Sequence, residues 1–256
     1  MTQHSRDDAL SARQFERLLQ GARDLPSPQS FEARLVILLA GRLGMRGGEI
    51  AHLHVDWIDM DRRLIEIPNH DPCKKGRHGG VCGYCRDRAR EHLKSHNLTH
   101  EEAREVIEEE FGDVDLEEDQ LDELAKEKME DHNKTLDEAL EERWQPKTEN
   151  GSRAIPFDFD TRTLLAVEEF AERYQVFPKA RVAINRRVSE ATEAAGIEER
   201  VYPHALRATA ASSMALRDVS AHSLMGIMGW ADLETARTYV LASDETAAME
   251  IRSKYR

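Results

Sequence analysis

Arginine and histidine side chains in two short segments are suited to holding a phosphate group. Arg46 lies in a glycine-rich turn, residues 44–49, where the backbone can approach a ligand closely. His204 and Arg207 stand three residues apart, which places both on one face of a helix. A guanidinium binds phosphate oxygens through paired hydrogen bonds. Two arginines and a histidine, together with a lysine after a strand, therefore suit phosphoryl transfer without a metal.

The cysteines form a second group of candidate functional residues. The sequence contains three cysteines, within a His-x-x-Cys and a Cys-x-x-Cys pattern joined by a glycine-rich stretch. Soft thiolates and an imidazole are typical ligands of a closed tetrahedral zinc site, so we predict one structural zinc ion. The predicted ligands are His70, Cys73, Cys82 and Cys85. His78 and His92 are alternative fourth ligands, and reduced thiols without a metal are the alternative to the site as a whole.

Predicted helices and a small sheet must position these residues. A cap at Ser27 and Pro28 followed by apolar residues at helical spacing predicts a buried helix that ends at Gly44, the first convincing core helix. Alternation predicts one strand over residues 63–68 and a second over residues 153–157. The cysteines and an acidic helical block lie between the two strands. We therefore predict an insertion, residues 68–146, within an antiparallel sheet.

Helices dominate the rest of the chain. Apolar spacing predicts helices after Asp160 and over residues 182–195, and three shorter ones near residues 204–216, 221–228 and 233–241. This order predicts a mostly helical α+β fold in one domain, residues 1–256. About thirty residues precede the first predicted core helix, too few for an independent domain without a metal or disulfides, so we predict no separate N-terminal domain.

The net charge of −13 is misleading about the partners of this protein. Residues 101–143 alone carry a net charge of −15, so the remainder is slightly basic at +2 and compatible with nucleic acid. Only nine of the 36 cations are lysines, and an acidic, lysine-poor composition is compatible with high salt. No apolar run is long enough to cross a membrane and no secretory signal is visible, so we predict a cytoplasmic protein.

The order of these motifs resembles the catalytic domain of the tyrosine recombinases, the phage integrase family. The resemblance runs from about Ser30 to Ser243 and includes the Arg46 turn, Lys147 ahead of the 153–156 strand, the His204 to Arg207 motif, and a Met-Gly-Trp followed by Tyr239. The nine-residue interval from Trp230 to Tyr239 matches the family's interval before its nucleophile. The cysteine-containing insertion further resembles integrase-like proteins of haloarchaea and their viruses.

The resemblance implies a role for each matched residue. Tyr239 would attack a DNA phosphodiester to form a 3′-phosphotyrosyl link. Arg46 and Arg207 would neutralise the developing charge, and Lys147 would protonate the leaving 5′-oxygen. His204 would assist proton transfer and Trp230 would hydrogen-bond the phosphate. Glu49 would orient Arg46 or His204.

The resemblance also implies partners and leaves two alternatives. It implies double-stranded DNA and a homotetramer on paired DNA sites, with a tail over residues 244–256 that packs on a neighbouring subunit. The DNA-clamping domain that precedes the catalytic domain in most members is not recognisable, which makes an accessory DNA-binding protein a candidate partner. A topoisomerase IB-like nicking and closing enzyme is one alternative function. A non-catalytic, zinc-stabilised DNA-binding regulator is the other.

Overall fold

The computed structural model describes residues 5–112, 116–141, 144–146 and 149–240. The chain divides into two compact units. Met1–Asn69 and Pro146–Arg256 form the first, called the core unit here, and His70–Gln145 form the second, called the insertion unit. Lys147 and residues 244–256 lie outside the described residues, so the predictions for the general acid and for the tail have no structural counterpart.

Twelve α-helices occur in the described residues. In the core unit they are α1 (Ala12–Arg23), α2 (Gln29–Gly41), α3 (Gly47–His52), α8 (Thr161–Arg173), α9 (Arg181–Ala194), α10 (Pro203–Ala215), α11 (Ala221–Met228) and α12 (Leu233–Val240). In the insertion unit they are α4 (Gly83–His96), α5 (His100–Phe111), α6 (Glu118–His132) and α7 (Leu136–Glu141).

A three-stranded antiparallel sheet joins the two sequence halves of the core unit. Its strands are β1 (Ile58–Asp59), β2 (Leu64–Ile67) and β3 (Arg153–Pro156), in the order β1-β2-β3. Leu64 pairs with Pro156 and Ile67 with Arg153, so the insertion leaves the sheet after β2 and returns before β3. The predicted α+β class, mostly helical with a small antiparallel sheet and a helical cysteine-containing insertion, is confirmed.

The first core helix is α1 rather than α2, which corrects the sequence prediction. Ser11 caps α1 by accepting from the backbone N–H of Gln14, whose side chain returns a hydrogen bond to the Ser11 backbone. Phe15 and Leu18, on the face toward the core, are fully buried. Burying two such side chains stabilises the fold by roughly 3–6 kcal/mol, so α1 is an integral part of the core unit.

Helices α2 and α10 form the centre of the core unit. Residues 35–40 of α2 are all buried, as expected for a helix that is apolar on every side. Small side chains line α10, where Ala205, Ala208 and Ala211 are buried. α2 begins immediately after Pro28, whose side chain makes no cap, and ends just before the turn that carries Arg46. The central helix therefore fixes where Arg46 enters the structure.

The helices of the insertion unit are amphipathic, with small apolar cores. Ala103 and Ile107 of α5 are buried, as are Leu121 and Ala125 of α6. Thr99 caps α5 by a reciprocal pair of hydrogen bonds with Glu102. Across the described residues, no helix has both the length and the apolar character needed to span a bilayer.

Candidate active site

Predicted site residues of the core unit meet at the C-terminal end of α11. Arg46 donates from Nη2 to the carbonyl oxygen of Gly229 at 2.6 Å, and Arg207 donates from Nη2 to that of Met228. Two guanidinium groups, from positions far apart in sequence, therefore bind successive carbonyl groups. Gly229 ends α11 in the left-handed conformation with φ of 60°, a geometry that glycine adopts without strain.

A buried carboxylate lies between two arginines beside this turn. Glu49 accepts from Arg46 Nη1 at 2.9 Å and from the Arg46 backbone N–H at 2.7 Å. Its two oxygens also accept from Nη1 and Nη2 of Arg153, at 2.8 and 2.9 Å. Burial alone would raise the pKa of Glu49, but the hydrogen bonds from Arg153 and the neighbouring guanidinium charges lower it below its usual value. Glu49 is therefore an anion that holds both arginines in place.

Arg207 is almost completely buried, at 6% exposure. Its second nitrogen, Nη1, donates to the carbonyl oxygen of Gly44, so the side chain joins α10 to the turn before Arg46. Burial, followed by repulsion from Arg46, lowers the pKa of Arg207 to about 9. Its charge is costly in this environment, and an anion bound there would relieve that cost.

Trp230 and Tyr239 stack on each other next to Arg207. Their ring centroids are 5.2 Å apart at an interplanar angle of 18°, and the Arg207 guanidinium carbon lies 5.9 Å from the Trp230 ring centroid. Tyr239, at 8% exposure, packs in a cluster that includes Leu224 and Met228. The apolar packing and the stacked Trp230 ring together fix the position of the tyrosine ring. A phenol beside a buried guanidinium group is in a suitable place to attack phosphorus.

Of the remaining two predicted catalytic residues, the structure describes His204 but not Lys147. His204 lies in the first turn of α10, exposed, three residues before Arg207 on the same helix. Lys147 belongs to the residues that the structure leaves undescribed, between Pro146 and the short 3₁₀ helix Glu149–Gly151. The roles assigned to both residues stay predictions.

Arg153 is a residue of this site that the sequence analysis did not single out. Besides binding Glu49, it donates from Nε to the carbonyl oxygen of Ile227 at 2.6 Å and from Nη1 to that of Gly151 at 2.7 Å. It thus connects β3 to α3 and to the end of α11. The only sequence signal was a cation at the start of a predicted strand, and its partners are too distant in sequence to be inferred from it.

Comparison with known families decides what kind of protein carries this arrangement. The family described as "Phage integrase family" matches residues 8–246, nearly the whole chain. The chain belongs to the phage integrase family. No curated protein matches this integrase-family chain in sequence.

Solved structures of the Tn1549 transposon integrase have the same fold. The Tn1549 transposon integrase in complex with circular intermediate DNA is 17% identical, with a TM-score of 0.55 over 96% of this chain and 66% of that chain. The same integrase with a Y379F substitution, in complex with transposon right end DNA, gives 17% identity and 0.55 over 97% and 66%. The XerA recombinase gives 17% identity and 0.45 over 97% and 65%. The chain thus spans about 65% of the length of these solved chains.

The three cysteines of the insertion unit come together. The Sγ atoms of Cys73, Cys82 and Cys85 all lie within 4.8 Å of one another. The backbone N–H of Cys82 donates to Cys73 Sγ and that of Cys85 to Cys82 Sγ, both at 3.5 Å. Hydrogen bonds from the two neighbouring thiols, with burial, raise the pKa of Cys85. The three thiols cannot all ionise together unless a cation compensates their charge.

None of the histidines of the insertion that were predicted as ligands joins this group. Among the described residues, His70, His78 and His92 lie outside it. His70 Nδ1 instead shares a hydrogen bond of 2.9 Å with the side-chain amide of Gln145. His92 stacks on His96, with ring centroids 4.0 Å apart. The insertion unit therefore brings together three thiols that could hold a metal ion, and the predicted His-x-x-Cys half of the group contributes only its cysteine.

Proposed function

We propose that this chain cleaves and rejoins DNA through a covalent 3′-phosphotyrosyl intermediate formed on Tyr239. One observation carries this proposal: Arg46 and Arg207 bind the adjacent carbonyl groups of Gly229 and Met228, immediately before the Trp230 ring that stacks on Tyr239. A phosphodiester that took the place of these carbonyl groups would accept hydrogen bonds from both guanidinium groups and would lie close to the Tyr239 phenol. The integrase-family membership and the DNA-bound Tn1549 relatives support the same substrate.

The reaction exchanges one phosphate ester for another. The Tyr239 oxygen forms a bond to phosphorus as the bond to the 5′-oxygen breaks, and the arginines neutralise the non-bridging oxygens. The phenolic proton passes to a base, a role we propose for His204, and the leaving oxygen takes a proton from Lys147. Attack by a 5′-hydroxyl in the reverse direction rejoins the strand and releases Tyr239.

The test is capture of the covalent adduct. The full chain is incubated with supercoiled DNA, and denaturing electrophoresis then shows whether protein stays attached to DNA. We expect an adduct with the wild type and none with Tyr239→Phe, while DNA affinity changes little because one hydroxyl contributes little binding. Tyr202→Phe, which removes a hydroxyl bonded to Asp8 outside this site, is the matched control. An adduct that persists in Tyr239→Phe would overturn the proposal.

We further propose that the chain acts in a tetramer on two paired DNA sites. The sequence resemblance to recombinases supports this assembly over single-site relaxation. Two plasmids that each carry the target sequence should exchange strands, and DNA-bound complexes should contain four copies of the chain. Relaxation of a single supercoiled plasmid without site pairing would instead favour a topoisomerase IB-like activity. An accessory DNA-binding protein, a cytoplasmic location and a haloarchaeal or viral origin stay predictions, the last supported by the acidic, lysine-poor composition.

We also propose that Cys73, Cys82 and Cys85 hold a structural zinc ion. Three converging thiols with two N–H···S hydrogen bonds suit a thiolate-rich zinc site, which stabilises a fold and takes one further donor. Cobalt exchanged into the full chain should give the intense sulfur-to-metal absorption of a multi-thiolate site, at one ion per chain. Cys85→Ser should weaken that band, and Ser95→Ala on the same helix should leave it unchanged. A chain that takes up no cobalt or zinc would contradict this assignment.

A further inference from the structure

Basic residues are concentrated at the start of the insertion unit. Residues 73–94 contain seven lysines and arginines and only two acidic residues, whereas residues 101–143 carry a net charge of −15. Between Cys73 and Cys82 there is no acidic residue at all. The insertion unit therefore has a basic first part and an acidic second part, although its net charge is strongly negative.

The loop from Cys73 to Cys82 is a compact structure. The backbone N–H of Gly76 donates to the carbonyl oxygen of Gly80 at 2.6 Å, and that of Cys82 donates to Cys73 Sγ. A Cβ atom on Gly76 would lie 2.5 Å from the Gly80 oxygen, so this closure requires glycine. The cysteine cluster and the glycine closure together hold the two ends and the middle of the loop, which limits the entropy lost when its side chains bind a partner.

The side chains of this loop and of α4 present their charge to solvent. Lys74 and Arg77 are exposed, and among the described residues no carboxylate pairs with either. On α4, Arg86, Arg90 and Lys94 are exposed and spaced four residues apart, which aligns them along one face of the helix. We call these five residues the basic arm.

The acidic helices α5 and α6 form ion pairs with each other rather than with the basic arm. Arg104 of α5 pairs with Asp122 of α6 at 2.8 Å, and Lys128 of α6 pairs with Glu110 of α5. Among the described residues, the ion pair that the basic arm makes is local and weak, from Arg90 to Asp87 at 3.4 Å on the exposed surface of α4. The positive charge of the basic arm is therefore available to an external anion.

We propose that the basic arm is a DNA-binding surface that contacts backbone phosphates outside the cleavage site. This inference rests on the proposed function, which supplies DNA as the partner. Arginine forks and lysines on a held loop and one helix face can bind the backbone phosphates of a duplex, contacts that position a protein on DNA without reading its sequence. The basic arm would thus add sequence-independent affinity to the contacts at the active site.

The test measures DNA affinity as a function of salt. The full chain is titrated against a 30-base-pair duplex by fluorescence anisotropy over a range of salt concentrations, and Lys74→Gln/Arg77→Gln is compared with the wild type. Each lost phosphate contact makes the negative slope of log affinity against log salt shallower by about 0.9. For the two substitutions we therefore expect a slope shallower by about 1.8, and a loss of affinity on the order of tens of fold at 0.1 M salt. The matched control is Lys126→Gln/Lys134→Gln, which removes the same charge from the acidic part of the insertion unit.

The outcomes separate this inference from the proposed function. If the loop variant has the same slope and affinity as the control variant, while the wild type still forms the adduct, then the loop makes no specific contribution and the basic arm does not bind DNA. If the loop variant shows the expected decrease in slope relative to the wild type but the wild type forms no adduct, the proposed function fails and the inference about the basic arm stands. A loop variant that changes the size of the DNA-free protein in sedimentation, with unchanged DNA affinity, would show that the arm binds a second copy instead and would also overturn the inference.

Discussion

Arg207 uses both terminal nitrogens of its guanidinium at once, for Gly44 and for Met228. A lysine at this position can place one charge but cannot reach both acceptors in the same geometry. We therefore expect Arg207→Lys to lose cleavage almost as completely as Arg207→Ala, by roughly a thousandfold. Single-turnover adduct formation measures the effect, and Arg217→Lys, exposed just beyond the same helix, is the control. Near-normal cleavage by Arg207→Lys would show that charge alone is needed.

Glu49 balances the charge of several buried guanidinium groups, so Glu49→Gln should destabilise the fold by on the order of 3 kcal/mol at neutral pH. Because the folded-state pKa of Glu49 is lowered, its contribution is present above the unfolded-state pKa of about 4.3 and is lost as the pH falls through the lower folded value. The difference between wild type and variant in urea unfolding should therefore shrink on acidification below about pH 4. Glu66→Gln, whose partner Arg62 is exposed, should change stability by less than about 1 kcal/mol. A difference for Glu49→Gln that stays constant with pH would contradict this account.

At the scale of elements, the turn between α11 and α12 depends on Gly229. A Cβ atom there would lie 2.8 Å from the Asn150 carbonyl oxygen and 3.1 Å from Arg153, in a backbone conformation that costs a side chain about 1–2 kcal/mol. We expect Gly229→Ala to lower stability and to reduce cleavage further, because Arg153 and the turn must separate. Gly226→Ala, where a Cβ meets nothing within 4 Å, should stabilise α11 slightly. Thermal unfolding and adduct yield measure both variants, and equal behaviour of the two would show that the turn tolerates a side chain.

Local patterns predicted most of these elements, and long-range contacts explain what they missed. α11 matches the predicted residues 221–228, because its start and its glycine end are encoded within a few residues. α1 carries the same kind of local signal, a capping Ser11 followed by Phe15 and Leu18 on one face, so its position is also encoded within a few residues. Arg153 could not have been inferred, because its partners Glu49 and Ile227 lie 104 and 74 residues away. Sequence spacing likewise predicts that the three cysteines lie together, but it does not show that His70, His78 and His92 lie outside their group.

At the scale of the whole molecule, metal removal should affect the two units differently. If zinc ties Cys73 to α4, chelation should expose the loop and α4 to protease, because the site supplies folding free energy to that unit. The core unit has its own interior and should keep its protease-resistant fragments. Limited proteolysis followed by mass spectrometry of the full chain, with and without chelator, locates the cuts. The same pattern in both conditions would contradict a structural metal.

The register of β2 with β3 also has a consequence for the order of folding. Leu64 and Pro156 pair across some ninety residues, so the pairing of β2 with β3 is a long-range contact. Closing a longer chain segment costs little additional equilibrium free energy, about 0.6 kcal/mol for each doubling, but it delays the encounter of the two strands. The helices between them need only nearby partners. In pulsed hydrogen exchange during refolding, the amides of α5 and α6 should therefore gain protection before those of Ile65 and Ile155. Early folding of the inserted helices would then shorten the flexible chain between β2 and β3, and with it the search by which Arg153 reaches Glu49.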